Sequence, residues 1–388
     1  MDEIRRTAPN PSVAADVGQP TQKHSNIIPQ DEEKCNSKLS ERDWLCRQME
    51  AIERMSDPTY LPTISMQELF ENVYRSRPPI VEGLLYPGTY LFVGAPKIGK
   101  SFLMAQLAYH VSTGTPLWGF SVKRGTVLYL ALEDDYKRLQ ERLYRMFGTE
   151  GVDNLHFAVT AGQLGVGLED QLAGFLREHP GTSLIIIDTL QKIRETGGDN
   201  YSYASDYQVI TLLKKFADQN GICLLLVHHT RKQQADDKFD MISGTNGLLG
   251  AADGAFLLHK EKRTDKAATL DVSGRDQQDQ KLNLLRNETT LAWDLVKLET
   301  NTWEKPKEPL LEQIAGLVSE ESPIWVGTAT ELCEALDLDM KPFKLTMKLN
   351  INASRLWDEC GIRYEGSRSH EGRKVRLSFE GRDDRCAP

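Results

Sequence analysis

The sequence predicts an α/β fold with a mainly parallel sheet and an antiparallel extension, followed by a smaller winged-helix domain. Short apolar runs alternate with helical periodicity between about residues 85 and 300, and a glycine-rich loop joins one such run to a helix. Continuously apolar runs are typical of strands buried on both faces of a parallel sheet. A charged, proline-marked stretch at 301–309 separates this part from the C-terminal segment.

The 388 residues are enough for two domains. Residues 1–40 are polar and interrupted by prolines, which predicts a disordered tail. A helix that Ser40 could cap is predicted within 41–60. The main α/β domain is predicted over 61–300, the linker over 301–309 and the winged helix over 310–388.

Composition bounds the function classes. The net charge is −9, but nucleic-acid binding depends on local fields and not on this sum. No apolar run reaches the ~20 residues that span a bilayer, so no membrane partner is expected. The six cysteines form no C-x-x-C pair, which argues against a zinc site and a disulfide framework. These features predict a cytoplasmic protein.

The strands of the main domain follow from their apolar runs. The predicted parallel strands are 90–93, 126–131, 155–159, 184–187 and 222–227. Four later runs follow one another too closely for crossover helices, so they are predicted to be antiparallel strands at one edge. These runs are 255–258, 269–273, 281–285 and 291–295.

A phosphate-binding loop is predicted between strand 90–93 and the helix that starts near residue 102. Its residues fit the pattern G-x-x-x-x-G-K-[ST], which would otherwise be a chance glycine-rich turn, and this context is the one that the pattern requires. Lys100 is expected to reach the β- and γ-phosphates of ATP, and Ser101 is expected to ligate Mg²⁺. The predicted cofactor-binding residues are Gly94, Ala95, Pro96, Lys97, Ile98, Gly99, Lys100, Ser101 and Phe102.

Two carboxylates follow neighbouring strands. Asp188 ends the run 184–187, where a carboxylate can lie beside the metal, although alone it could be a helix cap. Glu133 ends the run before it, where a carboxylate can orient the water that attacks the γ-phosphate. Asp134 and Asp135 are expected to favour the start of the next helix.

His228 and His229 end the run 222–227. A polar group at this position could sense the γ-phosphate and pass its state to the next loop. Both histidines could instead be surface residues at a strand end. Metal binding is not predicted, because no third ligand is evident.

These motifs resemble, in order, those of the RepA-type branch of RecA-like ATPases. The matching series is GAPKIGKS, LALEDD, LIIIDT, VHHTRK, SGTNG and VSGRD, over roughly residues 60–295. Members of this branch are related to the hexameric replicative helicases, and plasmids, phages and mobile elements often carry them. The resemblance therefore implies a RecA-like P-loop core and a hexameric assembly.

The resemblance also implies roles for individual residues. Glu133 corresponds to the catalytic carboxylate, Asp188 to the Walker B aspartate and His229 to the switch residue. Arg275 corresponds to the arginine that reaches into a neighbouring subunit's site. Residues 231–246 correspond to the loop that contacts single-stranded DNA in the central channel, although three aspartates offset its three basic residues.

The C-terminal segment has the element order of a winged helix. Helices are predicted at 310–318, 331–336 and 341–360, and strands at 325–327, 362–364 and 375–379. Thr328 or Thr330 is expected to cap the second helix. Residues 341–376 contain nine Lys and Arg against four Asp and Glu, which favours contact with duplex DNA, although a protein-binding face is the alternative.

Three functions follow from these features. The leading hypothesis is an ATP-driven ring motor of a replication module, a replicative helicase or a helicase-like protein. The second is a recombination or repair ATPase that forms a filament on DNA. The third is a nucleotide-switched binding protein that hydrolyses ATP slowly and positions its partners.

Overall fold

The computed structural model describes residues 49, 53–54, 56–194, 203–230, 239, 246–262, 264–275, 277–300, 307–369 and 372–381. The chain divides into a unit of residues 1–52 and a unit of residues 53–388. Apart from Met49, every residue described below belongs to the second unit. The predicted tail, most of the helix predicted within 41–60, and the loop 231–246 apart from Phe239 and Asn246 lie outside the described residues.

The main domain is built on a nine-stranded sheet in the order β3-β2-β4-β5-β1-β6-β7-β8-β9. The first six strands in this order are parallel, and the last three continue it in antiparallel pairs. The strands are β1 (Gly88–Gly94), β2 (Thr126–Ala131), β3 (Leu155–Ala158), β4 (Thr182–Asp188), β5 (Cys223–His229), β6 (Gly254–His259), β7 (Ala267–Gly274), β8 (Gln280–Arg286) and β9 (Trp293–Thr300).

Helices cover both faces of this sheet, as the apolar strands require. The helices of this part of the chain are α1 (Met66–Glu71), α2 (Lys100–Thr113), α3 (Tyr136–Phe147), α4 (Leu168–Glu178), α5 (Leu190–Ile193), α6 (Tyr203–Asn220) and α7 (Asn246–Ala251). Helices α2 and α3 pack on one face together with residues of the antiparallel extension. Helices α4 to α7 pack on the other face.

The orientation predicted for 255–258 is wrong. The strand β6, which contains these residues, runs parallel to β1, with Tyr90 opposite Gly254 and Gly94 opposite Leu258. The chain between β5 and β6 includes the short helix α7, and this connection is long enough to return to the start of the sheet. The antiparallel extension therefore begins at β7 and not at β6.

The predicted strand 291–295 is displaced. Its observed counterpart β9 begins at Trp293, because residues 287–292 form a turn in which Asn287 N–H donates to the Ala292 carbonyl. The strand then continues to Thr300 and pairs with β8.

The register brings the ends of four parallel strands to one edge of the sheet. Gly94 lies opposite His229, Asp188 lies opposite Val227, and Ala131 lies opposite Asp188. In open α/β sheets, ligands bind beyond the carboxyl ends of the strands. This edge therefore positions the candidate site.

The C-terminal residues form a separate hydrophobic core under a three-stranded antiparallel sheet, in the order β10-β12-β11. Its elements are α8 (Pro309–Leu317), β10 (Ile324–Thr328), α9 (Ala329–Ala335), α10 (Pro342–Ile351), α11 (Ala353–Cys360), β11 (Ile362–Ser369) and β12 (Gly372–Phe379). Thr328 caps α9 through a reciprocal capping box with Glu331, so Thr328 and not Thr330 is the cap.

The single helix predicted over 341–360 is wrong, because the chain forms two helices that meet at Asn352. The Asn352 backbone leaves helical geometry, and its side-chain amide donates to the Lys348 carbonyl at 2.9 Å. Asparagine favours such local bonds over continuing a helix. The two strands of the hairpin also extend further than predicted, to Ser369 and from Gly372.

Helix α1 contacts the C-terminal core. The Asn350 amide donates to the carbonyls of Phe70 and Glu71, at 3.1 and 2.8 Å, and these carbonyls belong to the end of α1. The Ser76 N–H donates to Ser354 Oγ at 2.9 Å. Side chains of the C-terminal core thus satisfy backbone groups of a segment that precedes β1.

Among the described residues, no helix is both long and apolar enough to cross a membrane.

Candidate active site

The phosphate-binding loop joins β1 to α2 as the sequence predicts. Gly99 has φ 110°, and a Cβ there would lie 2.9 Å from the Trp293 ring. A Cβ on Gly94 would lie 2.7 Å from the Leu258 carbonyl oxygen. Both positions therefore require glycine. No side chain caps the N-terminus of α2, so its backbone N–H groups remain available to an anion.

The other loop residues differ in exposure. Ala95, Pro96 and Lys97 are exposed, whereas Ile98 is buried in the core. The loop therefore has a solvent-facing outer side and an inner side that is fixed to the sheet.

Lys100 is the only loop residue whose side-chain cation lies buried at this edge of the sheet. Its Nζ donates to the carbonyls of Gly94 and Ala95, at 2.7 and 3.1 Å, and lies 3.1 Å from His229 Nδ1. Burial lowers the pKa of Lys100 to about 8, while the nearby charges of Asp188 and Glu133 oppose this shift. A phosphate group is the natural counterion for this poorly solvated cation.

Ser101 and Asp188 form the candidate magnesium site. Ser101 Oγ donates to Asp188 Oδ2 at 2.8 Å, so the two side chains lie side by side. Mg²⁺ prefers hard oxygen ligands and usually binds one or two protein groups together with substrate phosphates, which fits this pair. Burial raises the pKa of Asp188, and the hydrogen bonds from Ser101 and Tyr129 oppose this rise.

Glu133 lies beyond the end of β2 with its carboxylate exposed. The Thr189 hydroxyl donates to Glu133 Oε1 at 3.3 Å. Its two neighbours are engaged otherwise, since Asp135 caps α3 and Asp134 pairs with Arg142 at 2.7 Å. Of the three consecutive acids, Glu133 is therefore the one placed to contact a water molecule.

His229 lies where β5 ends, opposite Gly94. Burial and the Lys100 cation lower the pKa of His229, so its ring is neutral near pH 7. A neutral ring can accept a hydrogen bond from Lys100 through Nδ1. The contact links the end of β5 to the side chain predicted to hold the phosphates.

Phe102 lies in the first turn of α2, with two guanidinium groups near its ring. The Arg286 and Arg142 Cζ atoms lie 4.4 and 5.1 Å from the ring centroid. Such contacts are typical of cation–π interactions. Phe102 therefore connects the phosphate-binding loop to α3 and to the antiparallel extension.

Trp293 supports the loop from below and was not indicated by the sequence. Its fully buried side chain donates from Nε1 to the Gly99 carbonyl at 3.3 Å. Gln106 of α2 exchanges two hydrogen bonds with the Trp293 backbone. A tryptophan in an apolar run suggests a core residue, and only the pairing of distant segments reveals its contact with the loop.

Arg275 lies apart from the residues above. It follows β7, whose last residue Gly274 lies opposite Gly254, and Gly254 lies level with Tyr90. The phosphate-binding loop begins four residues further along β1, at Gly94. The exposed Arg275 side chain donates from Nη2 to the Gly250 carbonyl at 3.1 Å. The fold therefore does not bring Arg275 to the site of its own chain.

Comparisons with known proteins agree with this geometry. Residues 56–235 match the family model AAA_25, described as an AAA domain. The DNA repair protein RadA of Synechocystis sp. is 26% identical over 180 residues, which are 44% of this chain and 34% of that protein. The chain thus matches about a third of the length of this relative.

Three solved structures have a similar course of the chain. A phosphate-binding enzyme core described as an ATPase domain has a TM-score of 0.46 at 16% identity, with 66% of this chain and 99% of that chain covered. A DnaB-like replicative helicase has a TM-score of 0.46 at 16% identity, covering 64% and 71%. A KaiC-like protein from Pyrococcus horikoshii has a TM-score of 0.40 at 14% identity, covering 58% and 99%.

The AAA family match extends over the whole strand–loop–helix unit that holds Lys100 and over both strands that carry Glu133 and Asp188. The chain therefore contains a RecA-like P-loop ATPase domain.

Proposed function

We propose that the chain is an ATP-hydrolysing motor that assembles as a hexameric ring and acts on DNA, as a replicative helicase or helicase-like protein of a plasmid, phage or mobile element. The observation that carries this proposal is the meeting of Lys100, Ser101, Asp188 and Glu133 at the carboxyl edge of one parallel sheet. These residue types at this edge fit hydrolysis of a nucleoside triphosphate.

Each side chain has a distinct part in the proposed hydrolysis. Lys100 exchanges its loop carbonyls for the β- and γ-phosphates, and the N-terminus of α2 binds the same anion. Ser101 and Asp188 hold Mg²⁺, which neutralises charge on the phosphate oxygens. Glu133 orients the attacking water, and His229 registers the γ-phosphate through its contact with Lys100.

A subunit ring supplies what a single chain lacks. Arg275 is exposed and remote from its own phosphate-binding loop, which suits an arginine that completes a neighbour's site. An arginine supplied in this way stabilises the charge of the transition state. The shared site supports an assembly in which subunits meet head to tail, and a ring is the closed form of such an assembly.

Single-stranded DNA is the proposed ligand of residues 231–246. This segment begins two residues after His229, so the sensing residue and the DNA-contacting loop are adjacent in the chain. Movement of His229 on loss of the γ-phosphate would therefore act directly on the loop.

A winged helix that contacts duplex DNA is proposed for the C-terminal core. The sheet order β10-β12-β11 and the helices that precede β11 support this assignment. Four of the nine basic residues of 341–376 lie in ion pairs with carboxylates: Lys348, Arg355, Arg363 and Arg373. Duplex contact therefore depends on the other basic residues, among which Lys374 and Arg376 are exposed on β12.

Electron microscopy of the purified protein with a non-hydrolysable ATP analogue, with and without single-stranded DNA, tests the assembly. Closed rings are expected under both conditions, whereas a filament that forms on DNA would favour the recombination or repair function. In parallel, wild type should hydrolyse ATP and Lys100→Ala should not, because no other described cation lies within bonding distance of the loop carbonyls that Lys100 contacts. Full hydrolysis by Lys100→Ala would contradict the assignment of the site.

A strand-separation assay distinguishes a helicase from a nucleotide-switched binding protein. ATP-dependent displacement of a labelled strand from a forked duplex is expected. Slow hydrolysis that DNA does not stimulate, with no displacement, would instead favour the switch.

A further inference from the structure

Tyr129 is a fully buried tyrosine whose hydroxyl reaches the end of the neighbouring strand. Tyr129 of β2 lies opposite Ile186 of β4, so Asp188 is two residues further along on the same face. Two residues of a strand cover roughly 6.6 Å, a span that a tyrosine side chain can bridge. The Tyr129 hydroxyl donates to Asp188 Oδ2 at 2.8 Å.

The same carboxylate oxygen accepts a second hydrogen bond. Ser101 Oγ donates to Asp188 Oδ2, also at 2.8 Å. Both donors therefore act on Oδ2, and neither occupies Oδ1. Two bonds from different elements, α2 and β2, fix the plane of the carboxylate, because its rotation would break at least one of them.

Burial keeps Tyr129 suited to this role. Its side chain has no exposed surface and lies beside Phe157, with the ring centroids 5.6 Å apart. Burial raises the pKa of the Tyr129 hydroxyl well above its ordinary value, so it remains a protonated donor at any working pH. A buried hydroxyl needs a partner, and among the described residues Asp188 is the one to which it donates.

We propose that Tyr129 is a positioning residue that holds Asp188 in the orientation that binds the Mg²⁺ of Mg·ATP. This inference rests on the proposed hydrolysis of ATP and adds a residue that acts through Asp188 without touching nucleotide. Residues that orient metal ligands in this way commonly change metal affinity by about 10- to 100-fold when they are replaced.

The test is Tyr129→Phe, which removes one oxygen atom and keeps the ring. Binding of a fluorescent ATP analogue is measured as Mg²⁺ is titrated, and again in the presence of a chelator. The Mg²⁺ concentration for half-maximal binding should rise about 10-fold. Affinity in chelator should stay as in wild type, because Lys100 and the loop are untouched. A merely structural role would lower both affinities together.

Phe157→Leu is the matched control. It changes the packing around the Tyr129 ring but leaves the hydrogen bond to Asp188 in place. Its Mg²⁺ dependence should equal that of wild type. Should Tyr129→Phe be less stable, the rise in melting temperature when Mg²⁺ is added to the analogue-bound protein gives a second measure, which should shrink in Tyr129→Phe only.

The outcomes separate this inference from the proposed function. A Tyr129→Phe protein with the Mg²⁺ dependence of wild type would overturn the role of Tyr129 and leave the proposed function standing. A wild-type protein whose nucleotide binding ignores Mg²⁺ would overturn both. An equal shift in Phe157→Leu would show that packing, and not the hydroxyl, sets the metal affinity, and would also overturn the inference.

Discussion

Replacing Arg275 by alanine tests whether the site is shared between subunits. The register separates Gly274 from Gly94 by four residues along the strands and by two strands across the sheet. At about 3.3 Å per residue and about 4.8 Å per strand, the separation is roughly 16 Å. An arginine side chain does not cover this distance, so any catalytic role of Arg275 must be exerted on another subunit.

The expected magnitude distinguishes this role from a structural one. An arginine that stabilises the transition state contributes about 10³–10⁵ in rate, equivalent to about 4–7 kcal/mol. The hydrogen bond from Arg275 to Gly250 is exposed, and a bond of this kind contributes about 0.5–1.5 kcal/mol to stability. Arg275→Ala should therefore lose most of its ATPase activity while its melting temperature stays nearly unchanged.

Mixing two inactive variants gives the decisive measurement. Arg275→Ala keeps an intact phosphate-binding loop, and Lys100→Ala keeps an intact Arg275. In a ring assembled at random from equal amounts, about one quarter of the junctions pair the intact loop with the intact arginine. ATPase activity per subunit should therefore recover to about a quarter of wild type, peak at equal amounts and rise with protein concentration.

Arg145→Ala is the matched control, because Arg145 is also exposed and also donates to backbone carbonyls, those of Glu288 and Thr289. It should retain ATPase activity near that of wild type. Mixtures that demonstrably co-assemble without recovering activity would refute the shared site, as would a fully active Arg275→Ala protein.

Three further predictions concern other parts of the chain. Glu133→Gln should bind an ATP analogue almost normally but hydrolyse ATP about 10²–10⁴ times more slowly, because the exposed carboxylate is lost; steady-state rates that fall instead in Asp134→Asn would identify the wrong acid. Because burial lowers the pKa of Lys100 to about 8 and bound phosphates should raise it again, binding takes up a proton above that pH. Analogue affinity, measured by fluorescence, should therefore fall about tenfold from pH 7 to pH 9 in wild type and stay constant in Lys100→Arg. Replacing both Lys374 and Arg376 by glutamate in the full chain should weaken duplex binding and flatten its salt dependence, measured by fluorescence anisotropy; unchanged binding would favour a protein-binding face.

The central strands and the phosphate-binding loop could be predicted because their signals are local. The runs that became β1, β2, β4 and β5 are continuously apolar, and burial on both faces leaves no other arrangement for them. Placing Lys100 and Asp188 at one edge then follows from the parallel order of the strands. Motif spacing and strand polarity were sufficient for this part of the site.

The direction of β6 could not be predicted in the same way. Its residues are as apolar as those of β7, and the short helix α7 before it gives a weak periodic signal. Whether a strand runs parallel or antiparallel depends on the path of the connection, which is a long-range property. The contacts of Trp293 with Gly99 and Gln106 escape the sequence for the same reason, since they join segments almost 190 residues apart.

Asn350 shows how far such long-range contacts reach. The helical pattern of 341–351 indicates only that Asn350 faces the core, where an unpaired amide would cost about 1–3 kcal/mol. Its amide is satisfied by the carbonyls of Phe70 and Glu71, and its oxygen accepts from the Tyr364 hydroxyl at 2.9 Å. A fragment that begins at residue 310 would leave two donors of this buried amide without their partners. The C-terminal core and the segment around α1 therefore form one structural unit, and DNA binding by this core has to be measured in the full chain.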